Sequence, residues 1–446
     1  MKKIHISDHF TPQRLILFSL PAIGMQLVDN IYQVADGYFI SNYIGASEFA
    51  AENLIFPPLL LASSIGLMFG SGAGAMISYE QGKGNQEGAN RLFSMLMSVL
   101  VIVSIVISSI LFLLMQPISN LVGASEEMLP HCVEYGRILA AFMPFMMVNM
   151  AFHPLLITAE HSGLGVVVAV ANAAVNIVLD ALFVACFHWN LTGAAVATGL
   201  AWVISALIPT VYFFRAKDGM RFSRPCRPDK KLWKALYNGA SEMLDAIAYA
   251  VVAIVFNMQL MKWAQEAGID AYAVTEYVSG IFSAVFFGIS MSITPIVGYH
   301  LGNNNSREID LLWKNGLLLM LGIGILNGAV CFGLASPIAG IFVGYDTDVM
   351  QMAMEALRIS AFCFLLYGMT TFGSAFYTGL NDGTASLVIA GIKSFILPIL
   401  LVLVLPQLFG IKGIWLVNPI AELITIIVLL IMSKNIQSHL FKGDRI

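Results

Sequence analysis

The chain has 446 residues, of which 58% are hydrophobic and 11% are charged, against roughly 25% charged residues in soluble domains. This composition excludes an ordinary soluble protein and indicates that lipid surrounds most of the chain. The net charge of −4 excludes little by itself, because in a membrane protein the position of each charge matters more than the sum.

Twelve hydrophobic segments follow one another along the chain, each long enough to cross a bilayer, which takes about 20 mostly apolar residues. They are residues 15–40, 51–79, 92–115, 131–158, 163–187, 193–214, 236–262, 271–300, 311–334, 349–378, 385–406 and 412–433. The first segment is too long for a signal-peptide core and lacks a small-residue cleavage site, so we expect it to remain in the mature protein. The pattern predicts an all-α integral membrane protein with twelve transmembrane helices.

Lysine and arginine positions predict how these segments are oriented. With the amino terminus in the cytoplasm, 18 of the 23 lysines and arginines fall on the cytoplasmic side, eight of them in residues 215–234. This is the positive-inside pattern, and twelve spans return the carboxyl terminus to the same side. We expect a multi-pass protein of the plasma (inner) membrane with both termini cytoplasmic. Residues 215–235 are interpreted as a basic cytoplasmic linker, with binding of anionic lipid as the alternative.

An internal repeat with an offset of 220 residues divides the chain into halves. Residues 76–93 match residues 296–313, and the same offset recurs further along the chain. The matched pairs are Tyr79 with Tyr299, Gly82 with Gly302, Asn85 with Asn305, Leu92 with Leu312, Thr158 with Thr378, Gly163 with Gly383 and Gly193 with Gly413. Because each half holds six spans, the repeats are parallel. The prediction is two six-helix lobes, 1–214 and 236–446, related by a pseudo-twofold axis along the membrane normal.

Polar residues inside the amino-terminal spans form a pattern of their own. Asp29 and Asp36 lie seven residues apart on one helix face, and Asn176 and Asp180 lie four apart on another. Thr198 follows in the next span. Carboxylate, amide and hydroxyl oxygens are hard ligands that suit Na⁺ or a proton shared by two carboxylates.

Two interpretations of these residues remain open from spacing alone. They bind a coupling ion, or they only hydrogen-bond to one another between helices. The offset of 220 places Phe256, Ile396, Leu400 and Asn418 opposite Asp36, Asn176, Asp180 and Thr198. The second half therefore lacks the cluster, which favours a functional site confined to the amino-terminal lobe.

Further intramembrane residues are candidates for other roles. Pro21 removes a backbone hydrogen bond early in the first span and predicts a hinge. The candidate substrate-cavity residues are Asp29, Met25, Glu242, Asp245 and Glu276, with a wet cytoplasmic end of a long span as the alternative for Glu242 and Asp245. Lys393 and Glu422 are expected to form a structural ion pair. No metal-ligand spacing and no HExxH, GxSxG or Walker motif occurs, so we expect no enzyme and no cofactor.

The chain resembles the multidrug and toxic compound extrusion (MATE) family, closest in motif to its DinF-like and MepA-like bacterial and archaeal members. The resemblance covers nearly the whole chain and rests on residues 28–57, 70–91 and 176–198, with a weaker match at 238–245. It implies a cation site in the amino-terminal lobe at Asp36, Asn176, Asp180 and Thr198, and a first helix that bends at Pro21. The arginine usual in the eleventh helix appears here as Lys393.

The resemblance also implies an activity. Members of the family export organic, mostly cationic compounds by antiport with Na⁺ or H⁺, through alternating access of two lobes. The alternative is a flippase for lipid or lipid-linked oligosaccharide from the same superfamily; only Arg137, Arg358 and Lys393 lie within spans to hold phosphates. Expected partners are small organic cations and membrane lipid, with no nucleic acid, and the protein is expected to be a monomer.

Overall fold

The computed structural model describes residues 3–434, apart from the side chains of ten residues between 33 and 47. Within that range the chain is almost entirely helical and forms no β-strand. The first half contains α1 Pro12–Tyr43, α2 Ala46–Gly82, α3 Gln86–Leu121, α4 Leu129–Thr158, α5 Ser162–Asp180 and α6 Asn190–Arg215. The second half contains α7 Lys230–Gly302, α8 Ser306–Gly333, α9 Ala335–Val343, α10 Thr347–Gly379, α11 Gly383–Ala390, α12 Leu397–Phe409, α13 Ile411–Trp415 and α14 Val417–Ser433.

Eleven helical segments of the described chain are long and apolar enough to cross a membrane. One of them, α7, has 73 residues and is interrupted at Gln265, whose backbone angles (φ 54°, ψ −145°) are not helical. This interruption lies between the predicted spans 236–262 and 271–300, so α7 supplies two of the twelve predicted crossings. The structure therefore confirms an all-helical membrane protein with eleven or twelve apolar helices.

The repeat seen in the sequence reappears in the way two helices begin. The side chain of Asn85 accepts a hydrogen bond from the backbone N–H of Gly88 and caps α3, and Asn305 does the same for Glu308 at the start of α8. The residue before each cap has a left-handed backbone, with φ 75° at Gly84 and 54° at Asn304. These turns are 220 residues apart, so the offset matches local backbone structure as well as residue identity.

The chain packs into two compact units. Leu20–Met243 forms one, called here the amino-terminal unit; the described residues before and after it form the other, the carboxy-terminal unit. The first division falls within α1, between Ser19 and Leu20, and the second falls within α7, between Met243 and Leu244.

In the amino-terminal unit, α4 is central and packs against α2, α3 and α6. The contact between α2 and α4 is close because α2 carries glycine there: a Cβ on Gly66 or Gly70 would lie 2.1 or 2.5 Å from the carbonyl oxygen of Met147 or Ala151. Small residues at such crossings let helix backbones approach each other in membranes. The close crossing fixes α2 as part of the same packed bundle as α5 and α6.

The same unit also includes the basic segment, whose first half contacts α3. Asn90 on α3 donates to the carbonyl oxygen of Gly219 (3.2 Å) and accepts from the N–H of Arg221 (3.1 Å). The ring of Phe222 lies 4.7 Å from that of Phe93. The segment between α6 and α7 is therefore attached to α3 rather than being an extended tether.

In the carboxy-terminal unit, α10 packs against α8 and α14. The first residues of the chain belong to this unit. Glu308 at the start of α8 accepts hydrogen bonds of 2.7 Å from the N–H of Phe10 and from Nδ1 of His9. Phe10 is 1% exposed. The segment before α1 is thus built into the unit formed by the second half.

Candidate functional site

The four polar residues expected to bind the coupling ion lie together in the amino-terminal unit. Asp36 comes from α1, Asn176 and Asp180 from α5, and Thr198 from α6. Asn176 and Asp180 are completely buried, and Thr198 and Asp36 are 4% and 7% exposed. Helical spacing explains part of this arrangement, because residues four apart on α5 present their side chains to the same neighbours.

The hydrogen bonds define the site in more detail. The amide nitrogen of Asn176 donates to the hydroxyl oxygen of Thr198 at 3.2 Å. The Asp36 carboxyl lies within hydrogen-bonding range of Asp180, Asn176 and Thr198. Asp36 on α1 therefore contacts both α5 and α6.

A fifth residue, Glu52 of α2, belongs to the same site and was not singled out from the sequence. Its carboxyl is also within hydrogen-bonding range of Asp36. The only signal in the sequence was a carboxylate near the start of the second hydrophobic segment, 51–79. We call the set of Asp36, Glu52, Asp180, Asn176 and Thr198 the acid cluster.

The acid cluster holds several buried oxygens to which no described residue donates a hydrogen bond. They are both carboxylate oxygens of Asp180, Oδ1 of Asp36, Oε2 of Glu52 and Oδ1 of Asn176. No lysine, arginine or histidine forms an ion pair with these carboxylates among the residues that the structure describes. Because a buried acceptor without a donor is costly, this geometry suits a bound cation or protons shared between the carboxyls.

A π-helical turn, Ala181–Cys186, directly follows Asp180 and continues α5. A π turn shifts the direction of the side chains that follow it, and such turns are frequent at functional sites. The second half has a π-helical turn at Gly391–Ile396, between α11 and α12, and it carries Lys393. In each half a polar residue of the fifth span thus lies at or beside an irregular turn.

The other predicted residues of the amino-terminal half have distinct surroundings. Pro21 lies within α1, which continues through it as one helix. Met25 is completely buried, with its sulfur where a side chain on Gly165 would lie, so in this structure it packs between α1 and α5. Asp29 faces His153 of α4, with Oδ2 3.9 Å from Nδ1. The proposed hinge and substrate-cavity roles of these residues remain predictions.

The predicted acidic residues on α7 have different surroundings. Glu242 is half-buried in the amino-terminal unit. In the carboxy-terminal unit, Asp245 lies beside Lys393 and within hydrogen-bonding range of Ser394, whereas Glu276 is hydrogen-bonded to Tyr272. The substrate-cavity role of these three acids also remains a prediction.

The expected ion pair between Lys393 and Glu422 is confirmed, with Nζ 3.9 Å from Oε1. Lys393 also contacts the hydroxyl of Thr371 and lies 4.0 Å from the ring centre of Tyr367. The second carboxylate oxygen of Glu422 accepts a hydrogen bond of 2.5 Å from Thr370. Asp245, Lys393 and Glu422 are called here the lysine cluster.

Comparisons with known proteins identify the family to which the chain belongs. The family model MatE matches residues 21–182 and 242–404, one stretch in each half of the chain. The chain belongs to the MatE family of transporters. It is 22% identical over 404 residues to the multidrug export protein MepA of Staphylococcus aureus (strain MSSA476), covering 89% of this chain and 88% of that protein.

Two solved structures share the fold. One is the outward-facing conformation of a multidrug resistance MATE family transporter of the MOP superfamily, with a TM-score of 0.92, 20% identity and 99% of each chain covered. The other is a MOP superfamily transporter from Pyrococcus furiosus, described as having a binding pocket of reverse polarity that suggests a different function. It has a TM-score of 0.88 and 19% identity and covers 98% of this chain and 99% of that one.

The family membership confirms the resemblance drawn from the sequence. The protein is a multi-pass integral membrane transporter of the multidrug efflux class, whose members handle small organic compounds and are not enzymes. The flippase alternative is not favoured, because the matched relatives are multidrug exporters.

Proposed function

We propose that this protein exports organic, mostly cationic compounds by antiport with Na⁺ or H⁺, and that the acid cluster is the site of the entering ion. The observation that carries the proposal is the set of buried acceptor oxygens on Asp36, Glu52, Asp180 and Asn176 to which no described residue donates a hydrogen bond. Such a set is unstable when empty and charged, and an entering cation relieves the cost.

The coupling follows from the placement of Asp36 on α1. Occupied and empty clusters differ in charge, so they favour different positions of α1 relative to α5 and α6 within this unit. An ion drives transport only through such a difference in affinity between two states. Pro21, fifteen residues before Asp36, is the proposed hinge, and the two lobes of the repeat are the elements that alternate in access.

The substrate class is argued from the residues, because fold alone does not fix it. Glu276 is an acidic group within a span of the carboxy-terminal unit, beside Tyr272 rather than a basic residue, and is proposed to attract cationic compounds. The basic residues that a lipid phosphate would need are engaged elsewhere: Arg137 lies over the ring of Phe112, and Arg358 over that of Phe332.

The membrane location and the oligomeric state of the protein are also proposals. The bias of lysine and arginine supports a plasma (inner) membrane protein with both termini in the cytoplasm. The acid cluster is built from a single chain, which supports a monomer as the working unit.

The test is efflux of ethidium from proteoliposomes under an imposed Na⁺ gradient or an imposed pH gradient. We expect one of the two gradients to drive efflux in the wild type and Asp36→Asn to abolish it, since Asp36 contacts every other member of the cluster. Glu134→Gln is the matched control, because Glu134 is an exposed carboxylate of the same unit, bound to Thr192. Retained gradient-driven efflux in Asp36→Asn would remove the acid cluster from the mechanism.

A further inference from the structure

We infer that the carboxy-terminal unit contains a hydration site, a buried cavity that binds water at the place where the internal repeat puts the counterpart of the acid cluster. The cavity belongs to a different unit from the proposed coupling site. The inference therefore stands or falls independently of the proposed antiport.

The cavity lies among α7, α10, α13 and α14 and is small. Its volume is about 30 Å³. About 10–15 Å³ is enough for one water molecule, so the cavity has room for about two. A polycyclic organic cation such as ethidium is far larger than this cavity, so its size suits water or a single small ion.

Four of the polar side chains that line the cavity make no hydrogen bond with any described residue. The indole N–H of Trp415 is buried and donates to none of them, and the residue is only 3% exposed. The side chains of Ser279, Ser360 and Asn418 also form no hydrogen bond within the described chain. Buried polar groups are almost always satisfied by protein or by ordered water. Water both donates and accepts, so it can satisfy the indole, the hydroxyls and the amide together.

The lining favours a neutral ligand over an ion. No carboxylate, lysine or arginine is among the described residues that line the cavity, and Glu276, which is hydrogen-bonded to Tyr272, does not line it. A cation or an anion bound there would lack an opposite charge, and an unpaired ion within a membrane is costly. Water needs no counter-charge.

The repeat relates this cavity to the acid cluster. The offset of 220 residues gives three matched pairs whose second members all line the cavity: Asp36 with Phe256, Glu52 with Tyr272 and Thr198 with Asn418. The rings of Phe256 and Tyr272 stack with their centres 5.4 Å apart, and the ring of Tyr272 lies 6.4 Å from that of Trp415. The second half thus has aromatic rings where the first half has two carboxylates, and the space that the rings leave is neutral and polar.

The direct test is an experimental structure of the full-length protein at a resolution that shows ordered water. We expect density for water within hydrogen-bonding distance of Nε1 of Trp415. Crystals soaked in rubidium bromide reveal whether an ion binds instead, because both ions scatter anomalously. A cavity without density overturns the inference, and so does an anomalous peak of rubidium or bromide in it.

A second test uses the stability of purified variants. Trp415→Phe and Ser360→Ala each remove one polar group from the cavity and keep most of the packing. If the same water binds both groups, the two changes are coupled, and the double variant should lose clearly less in unfolding midpoint than the sum of the two single losses. Losses that simply add would overturn a shared water.

Trp313→Phe is the matched control for this cycle. Trp313 is an indole of the same unit that packs against Phe376 and does not line the cavity. Phe376 lies about four turns from Ser360 along α10. The losses of Trp313→Phe and Ser360→Ala should therefore add. The wild-type structure tests the inference even if Trp415→Phe does not fold.

Discussion

The acid cluster and the lysine cluster bury the same kind of side chain and differ in where the positive charge comes from. Asp36, Glu52 and Asp180 have no basic partner among the described residues. Glu422 lies 3.9 Å from the ammonium of Lys393, which is 10% exposed. Charges inside a membrane are costly unless they are paired, so both clusters need a cation.

The cation of the lysine cluster is covalently part of the protein, whereas the cation of the acid cluster is free to exchange with solution. The lysine cluster carries its cation on a side chain and keeps it throughout any cycle, so it is expected to stabilise the fold. The acid cluster must take its cation from solution and can release it again. Only an exchangeable cation, as in the acid cluster, can link an ion gradient to a change of conformation.

The strongest way to break this comparison is to give the acid cluster a tethered cation. In Asn176→Lys an ammonium is placed beside Asp36, Asp180 and Glu52 and competes with the entering ion. We expect gradient-driven ethidium efflux to fall by roughly 100-fold or more, because an entering cation must displace the buried ammonium and breaking a buried ion pair costs about 3–5 kcal/mol. We also expect the thermal unfolding midpoint of the variant to stop rising with added Na⁺ or acid, as a protein with no vacant cation site gains nothing from the ligand.

Asn176→Met is the control for this experiment, because methionine is also long and unbranched but carries no charge. Its unfolding midpoint should still respond to the cation. A lysine variant that pumps under the gradient, or one whose midpoint rises with the cation as the methionine variant does, would show that the cluster does not bind the coupling ion.

The reverse change removes the tethered cation from the lysine cluster. Lys393→Met leaves Glu422 and Asp245 buried without their basic partner. Breaking a buried pair in this way costs about 3–5 kcal/mol, so the variant should unfold at a clearly lower temperature than the wild type in detergent. The measurement is the thermal unfolding midpoint of purified protein.

The double variant Lys393→Met with Glu422→Gln distinguishes an ion pair from simple loss of packing. Removing the orphaned charge should restore part of the stability, because the two changes are coupled. If the double variant is as unstable as the sum of the two single variants, Lys393 and Glu422 act independently and the proposed role of the pair is wrong.

The sequence predicted the spans and the members of the cluster that helical periodicity places on one face. Asn176 and Asp180 are one turn apart, and isolated polar residues in apolar spans tend to face other helices rather than lipid. The similarity of the turns at Gly84 and Asn304 could also be predicted, because both lie in the matched stretches 76–93 and 296–313 and a turn depends on residues close together in sequence.

What was not predictable depends on which helices touch. Glu52 lies near the start of its hydrophobic segment, where a carboxylate is ordinarily expected at the membrane surface. Only the packing of α2 in the unit brings it to Asp36. The π-helical turns at Ala181–Cys186 and Gly391–Ile396 also left no periodic signal, because six residues are too few to shift a hydrophobic pattern.

The mildest test makes the same substitution in each cluster. Thr198→Val removes a hydroxyl beside Asp36, and Thr370→Val removes the donor to Glu422. Each hydrogen bond is worth about 1 kcal/mol, and valine keeps the shape of the side chain. In the acid cluster the hydrogen bond contributes to ion affinity, so Thr198→Val should raise the cation concentration that gives half-maximal ethidium efflux by about fivefold.

In the lysine cluster the hydrogen bond contributes to folding stability, so Thr370→Val should lower the unfolding midpoint slightly and leave that cation concentration unchanged. Equal shifts of the half-maximal concentration in the two variants would mean that both clusters take part in coupling.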